Sequence, residues 1–532
     1  MNRTKIRTWM APLAVALLLG MLGTTAWTAA PAPYQVKDIN PGAGASGPSN
    51  LAVNGALFFQ AYDGTNGYEL WQSDGTQGGT TMVKDINPNA ASSNPTSLQV
   101  AGGTLFFSAS DGTNGIELWK SDGTQGGTVM VEDINGSGDS WPTELVTMVD
   151  KLYFAADDGT HGRELWKSDG TQGGTEMVRD IDPLLTSSPS ELTVIGDQLY
   201  FRATENTYGT ELWRSNGTLA GTLPVKDIYT GTNSSIPSSL AAMGNTLYFR
   251  AQDGTNGFEL WKSDGTGGGT VMVKDINPTG SSTPDRLLGV NGTLFFAADD
   301  GTNGTELWKS NGTEGGTIMV KDIHPSGHSA PGEFAAMNGT LFFAADDGTN
   351  GIELWKSDGT EGNTTMVKDI NPGGDSSPSN LVAMDGTLFF IADDGTNGYE
   401  LWQSDGTEEG TTMVDDIHPS SGSIPQHLTE RDGVLFFAAD DGTDGRELWA
   451  FDPAGGSGGT CAEPLPITCG GQVSGDTMGQ TNVLEYYTCS SWVETGPELV
   501  YAFTLAGGSD YVVTATLSDL TADLDVFLLA SG

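Results

Sequence analysis

The chain carries 68 acidic residues against 23 Lys and Arg, and its carboxylates keep fixed company. Stretches such as Asp299–Glu306, "DDGTNGTE", place two Asp, an Asn and a Glu within eight residues. A hard cation such as Ca²⁺ takes about six to eight oxygen ligands, and this phrase offers side-chain and turn oxygens at that density. Five copies carry the double Asp. They are Asp157/Asp158 before Glu164, Asp299/Asp300 before Glu306, Asp346/Asp347 before Glu353, Asp393/Asp394 before Glu400 and Asp440/Asp441 before Glu447. These carboxylates are the candidate Ca²⁺ ligands. The alternating Asp spacing of known calcium loops is absent. A structural role competes and carries more weight. Asp-Gly and Asn-Gly build tight turns without metal. A Glu or Asp at a strand end can accept hydrogen bonds from loop N–H groups, or pair with the Lys of a recurring "KDI" (Lys84, Lys274, Lys321, Lys368).

Other chemistry is sparse. The His residues, His161, His324, His328, His418 and His427, form no HExxH or other zinc spacing. Ser457 lies in a G-x-S-x-G match inside "PAGGSGG", which has neither the strand before it nor the helix after it that a nucleophile elbow requires. The expectation is therefore a repeat protein that acts as a non-catalytic binding or scaffold module. The alternatives are a calcium-stabilised structural or adhesion protein, and a hydrolase or lyase whose site gathers residues from distant loops.

The elements that position these groups are written by repetition. The Trp of "ELW" recurs at 71, 119, 166, 213, 261, 308, 355, 402 and 449, every 47 or 48 residues. Residues 380–417 parse into four strands, "NLVAM", "TLFFIAD", "YELWQS" and "TTMVDDI", joined by Asp-Gly turns. Runs such as "LFFAA" are apolar on both faces, so each small sheet is covered on both sides. Stacked four-stranded meanders make a β-propeller. The predicted fold is all-β, with about nine blades. An orphan strand "YQVKDI" (34–39) opens the chain, and the last unit lacks its fourth strand. Residues 34–39 are expected to supply that strand and close the ring, which removes the open edges of a solenoid. The Trp is expected to wedge between blades rather than to hold a sugar.

The phrase "ELWxxDGTxxGTxxVKDI" resembles the bacterial ELWxxDGT repeat family, over about residues 34–452. The resemblance implies an exported propeller and implies no particular activity. Two units depart from the pattern. "ATENTYGTELWRSNGT" (203–218) lacks the first Asp-Gly, and the ninth has "AFDPAGG" in place of "SDGTxxGT".

Residues 1–30 read as a secretory signal, with Arg3, Lys5 and Arg7 ahead of an apolar run over 11–23. The protein is expected to be secreted or held at the cell surface, with no membrane insertion after signal cleavage. A formal net charge of −45 argues against nucleic acid as a partner. An extracellular protein or polysaccharide surface is the expected kind of partner. Residues 453–460 read as a Gly/Ser linker. Residues 461–532, with "YAFTLAGG" and "ADLDVFLL", are similar to the bacterial pre-peptidase C-terminal domain, a small β-sandwich, here expected to be truncated. Two of Cys461, Cys469 and Cys489 are expected to pair.

Overall fold

The computed structural model describes residues 31–455. The signal segment, most of the linker and the expected sandwich at 461–532 lie outside the described residues. Nine four-stranded antiparallel sheets follow one another as blades. In blade 4 the strands a to d are Ser190–Ile195, Gln198–Glu205, Gly209–Ser215 and Leu223–Lys226. Each strand a lies against the strand a of the neighbouring blades, and that of blade 9 returns to that of blade 1, so the a strands form the inner ring. Closure occurs as the sequence predicts. Tyr34–Lys37 pairs with Arg446–Phe451 and completes blade 9, beside Val434–Asp440 and Gln426–Arg431. The "ELW" strand is therefore third from the axis.

The apolar doublets of strand b explain the stacking. Leu105 and Phe107 of blade 2 are fully buried against Phe58, Leu70, Val83 and Ile86 of blade 1, together with Trp119. Phe106, between them, points the other way into the cluster with Phe154 and Trp166 of blade 3. An alternating strand buried on both faces thus belongs to two inter-blade cores. The closing contact repeats the rule, with Val36, Ile39, Phe436 and Leu448 of blade 9 against Phe59 and Trp71 of blade 1.

The "SDGTxxGT" turns are closed by their own side chains. Ser73 Oγ and Thr80 Oγ1 lie 2.7 Å apart, Gly75 N donates to Ser73 Oγ at 3.0 Å, and Asp74 accepts from Thr76 N at 2.9 Å. Gly75 has φ +96°, which its turn requires and a side chain would oppose.

Strand d is shorter than its sequence suggests. It stops at the Lys, as in Val271–Lys274, and the Asp-Ile that follows leaves the sheet. In blade 8 only Thr412–Met413 remains. The Lys also has a different partner from the one expected. Lys84 Nζ donates to Thr128 O at 2.7 Å and sits 5.7 Å from the centroid of Trp119 in the next blade. Lys274, Lys321 and Lys368 do the same over Trp308, Trp355 and Trp402. The cation clamps the Trp wedge instead of pairing with the Glu of strand c.

Two blades break this clamp. Glu132 and Asp415 hold the equivalent positions of blades 2 and 8. Among the described residues, Trp166 and Trp449 have no cation over them, and Glu132 Oε2 is buried without a partner. Replacing Glu132 by Lys restores a cation–π contact worth about 0.5–1 kcal/mol and removes an unpaired carboxylate oxygen. E132K is expected to raise the denaturation midpoint at neutral pH. An unchanged or lower midpoint contradicts the clamp.

Candidate functional site

The b–c turns and the d-to-a connections share one face of the ring, here called the upper face. The carboxylates singled out by the sequence all lie there, in three structural roles.

The Glu of each "ELW" is fully buried at the start of strand c. Glu164 Oε2 accepts from Ile181 N at 2.9 Å and from Ser187 Oγ at 2.6 Å, and Oε1 accepts from Ser187 N at 2.9 Å. Ile181 ends the blade's own outer turn, and Ser187 lies in the connection to the next blade. Glu306, Glu353 and Glu400 bind the matching Ile and Ser in the same way. Glu447 takes its donors from Ile39 and Ser46, at the opposite end of the chain.

The first Asp of each pair closes the b–c turn. Asp157, Asp299, Asp346, Asp393 and Asp440 each accept through Oδ1 from the N–H of the Gly two residues on, at 2.6–2.7 Å. The second Asp builds an Asx turn. Asp300 Oδ1 accepts from Thr302 N and Asn303 N, and Oδ2 from Asn303 Nδ2. Asp347 and Asp394 do likewise, Asp158 uses His161, and Asp441 accepts from the N–H groups of Thr443 and Asp444.

The pair and the Glu of each blade therefore serve different donors. Among the described residues, no three His, Cys, Asp or Glu side chains group so as to hold a metal ion.

Sequence reading allowed for loop N–H donors but did not identify them. A Ser-x-Pro recurs 23 or 24 residues after each Glu from Glu69 to Glu400, and at Ser46 for Glu447, and its Ser supplies both the N–H and the hydroxyl. The constant spacing was the available signal. The middle residue has positive φ in every blade, from Gly47 at 55° to Ala330 at 43°. Bulky side chains also stand there, Trp141 at 49°, Ile236 at 49° and Ile424 at 46°. Such a backbone disfavours them by about 1–2 kcal/mol.

The irregular blade 4 carries the second feature. Its b–c turn runs through Asn206, Thr207 and Tyr208 without Asp-Gly, and Thr204 replaces the first Asp, with its Oγ1 2.7 Å from Thr210 Oγ1. Beside this turn lies a cavity of about 440 Å³. Blade 3 contributes Thr143, Glu144 and Arg163; blade 4 contributes Ser190, Arg202 and Thr204; Ser234 and Ile236 come from the connection to blade 5. Arg163 Nη1 donates to Trp141 O at 2.7 Å, and its Nη2 donates to Ala155 O at 3.0 Å and to Thr143 Oγ1. Burial pushes the Arg163 guanidinium down, opposed by Glu144 and Asp157. Arg202 is anchored only through Nε, to Ser190 Oγ at 2.7 Å. No acceptor among the described residues takes its two terminal nitrogens.

Neither a protein-family profile nor a curated protein matches this sequence. Among solved structures the fold is similar to a puromycin hydrolase (14% identity, covering 69% of this chain and 60% of that one, TM-score 0.36). It is also similar to a structure from a study of two prolyl endopeptidases (15%, 64% and 52%, TM-score 0.37). A third is a Mycobacterium tuberculosis puromycin-hydrolyzing peptidase (10%, 65% and 58%, TM-score 0.34). This chain spans 52–60% of the length of those proteins. Likeness at this level carries no inference about chemistry.

Two predictions follow from the carboxylates. Burial pushes Glu69, Glu117, Glu164 and Glu447 up to about 7 from 4.5, against the pull of their hydrogen bonds. The folded state then binds more protons than the unfolded one, so this contribution is full below 4.5 and is lost as pH rises through about 7. Burial raises the Asx-turn aspartates too, but donors such as Asn303 and Thr302 at Asp300 outweigh it and hold them below 3.8. Their contribution is lost as pH falls below that value. The thermal midpoint is expected to be highest near pH 4–5 and to fall toward pH 8. A midpoint that rises steadily to pH 8 contradicts this.

Because the double-Asp and Glu oxygens already take internal donors, exchanging excess Ca²⁺ for chelator is expected to leave the midpoint within about 2 °C. A ligand confined to the native state must raise it. A larger rise identifies a cation that displaces those donors.

Proposed function

We propose that this chain is a secreted or cell-surface binding module, a propeller that presents a ligand site on its upper face and does no chemistry on what it binds. The observation that carries this reading is the contrast between the repeat and its break. All nine Glu are consumed by inter-blade staples, and the Asp of the regular b–c turns are consumed by those turns. Where the pattern fails, at blade 4, the surface opens into a polar cavity with an unpaired guanidinium. The cavity's volume falls within the roughly 300–1,000 Å³ of ligand sites, and its open, polar lining suits a polar ligand. The resemblance to an exported repeat family agrees with an extracellular setting.

The test is retention without turnover. The full chain is immobilised and challenged with neutral and charged polysaccharides and with an unstructured protein, and the eluate is assayed for new reducing ends and new amino termini. The expected result is reversible retention of at least one class, recovered intact. Time-dependent cleavage of a retained polymer overturns the non-catalytic reading. Retention of none overturns the binding reading.

A further inference from the structure

The upper face gains two guanidinium groups over two adjacent blades. Each strand b ends with two residues on one side of the strand, spaced i and i+2. In blades 3, 6, 7 and 9 they are Ala and Asp: Ala155/Asp157, Ala297/Asp299, Ala344/Asp346 and Ala438/Asp440. Blade 8 has Ile391/Asp393. In blade 4 they are Arg202/Thr204, and in blade 5 Arg250/Gln252. At both places a carboxylate is lost and a guanidinium gained, in a chain of net charge −45.

The two Arg are seated alike. Arg202 faces Ser190 across the a–b pair and donates Nε to its Oγ at 2.7 Å. Arg250 faces Ser238 and donates Nε to its Oγ at 2.9 Å. Each is half-buried. The Arg250 guanidinium also lies 5.8 Å from the centroid of Phe258. Neither is in an ion pair, and both terminal forks lack an acceptor among the described residues. A fork held at Nε offers two parallel N–H donors, the geometry that a planar carboxylate accepts.

The surroundings add two features. Hydroxyls of Ser190, Thr204, Thr210 and Ser234 line the cavity, and Glu144 adds a carboxylate that accepts from a hydroxyl but repels an anion. Trp141, in the loop just before Thr143 and Glu144, is 53% exposed on a left-handed backbone. Its backbone carbonyl accepts from Arg163 of the cavity lining, and an exposed indole on that loop suits the face of a sugar ring.

Resting on the proposed binding role, we infer that the ligand is a carboxylate-bearing polysaccharide, a polymer of uronic acid type, with carboxylates received by Arg202 and Arg250 on adjacent blades and a sugar ring set against Trp141. Long-range repulsion from the acidic chain opposes any polyanion. It is screened beyond about 8 Å at physiological salt, so contact with the Arg forks decides binding there. Such a protein does not hold polyanions as a general ion exchanger does.

The test uses the full chain and calorimetry at physiological salt with four probes: polygalacturonate, its methyl ester, dextran sulfate and poly-glutamate. Polygalacturonate is expected to bind at least about tenfold more tightly than the other three. The double variant R202Q/R250Q is expected to lose about tenfold or more, and R202K/R250K, which keeps charge without the fork, to fall between. W141N is expected to lose about fivefold while its thermal midpoint stays equal or rises, because Asn94 occupies the equivalent position in blade 2 with φ 48°. K151Q, which removes one positive charge at an a–b turn on the opposite face, is expected to bind as the parent does.

Equal binding by the double variant and the parent overturns the site. Tighter binding of poly-glutamate reassigns the ligand to an acidic protein, and tighter binding of dextran sulfate reassigns it to a sulfated polymer. Either overturns the inferred class and leaves the binding role standing. Binding followed by chain cleavage has the opposite effect, overturning the non-catalytic role and keeping the ligand class.

Discussion

A buried carboxylate at the start of the third strand of every blade sets the geometry of the ring. Each Glu takes one N–H from the turn that ends its own blade and one N–H and one hydroxyl from the connection that begins the next. Were it absent, those donors would be orphaned under a packed loop, at a cost of about 1–3 kcal/mol each. The carboxylate thus does between blades what a backbone ladder does within one: it fixes where the chain must turn. The Trp wedge and the Lys above it depend on that placement, because strand d ends and the next blade begins where the Glu holds them. In blade 9 the same three bonds run to Ile39 and Ser46. Ring closure is one more instance of the repeat and needs no special device.

This explains what could be read from the sequence. Strand type, blade number and closure were legible, since a period of 47 or 48 residues with Asp-Gly turns leaves few alternatives. The role of the acids was harder. An Asp or Glu ringed by Gly and Asn suits a turn better than a cation, but composition does not name the donors. The distinction lies in the donors, and those of Glu164 sit 17 and 23 residues away in Ile181 and Ser187. Ser187 reads as loop filler until its spacing is compared with that of Ser140 and Ser235. Of the two partners offered for the acids, loop N–H groups and the Lys, the structure uses the first, for a similar reason. The neighbour of the Lys in sequence is the Asp of its own blade, but its neighbour in space is the Trp of the next.

The candidate site was hidden by the attention that repetition draws. Positions spelled the same in every blade are committed to packing and turns, and a ligand must use the positions that are not. "LYFRA" in blades 4 and 5 reads simply as strand. The pairing register puts Arg202 opposite Ser190 and Arg250 opposite Ser238, and only this shows that two guanidinium groups are anchored and left with free ends. The departure at residues 203–218 was visible, but what it exposes depends on Arg163 and Glu144 from the blade before and on Ile236 from the connection after.

The closing strand pair also gives the ring a mechanical character. Tyr34 lies opposite Ala450 and Lys37 opposite Leu448, in antiparallel register. The chain therefore enters and leaves that pair at the same end. Tension applied through the segments before Tyr34 and after Phe451 peels the two strands apart one hydrogen bond at a time, instead of loading all of them in shear. The other eight blades are each closed within a continuous stretch of chain and lie outside that line of force. Blade 9 is then a fuse: under traction it yields first, and releasing the tension allows a single short strand to re-dock.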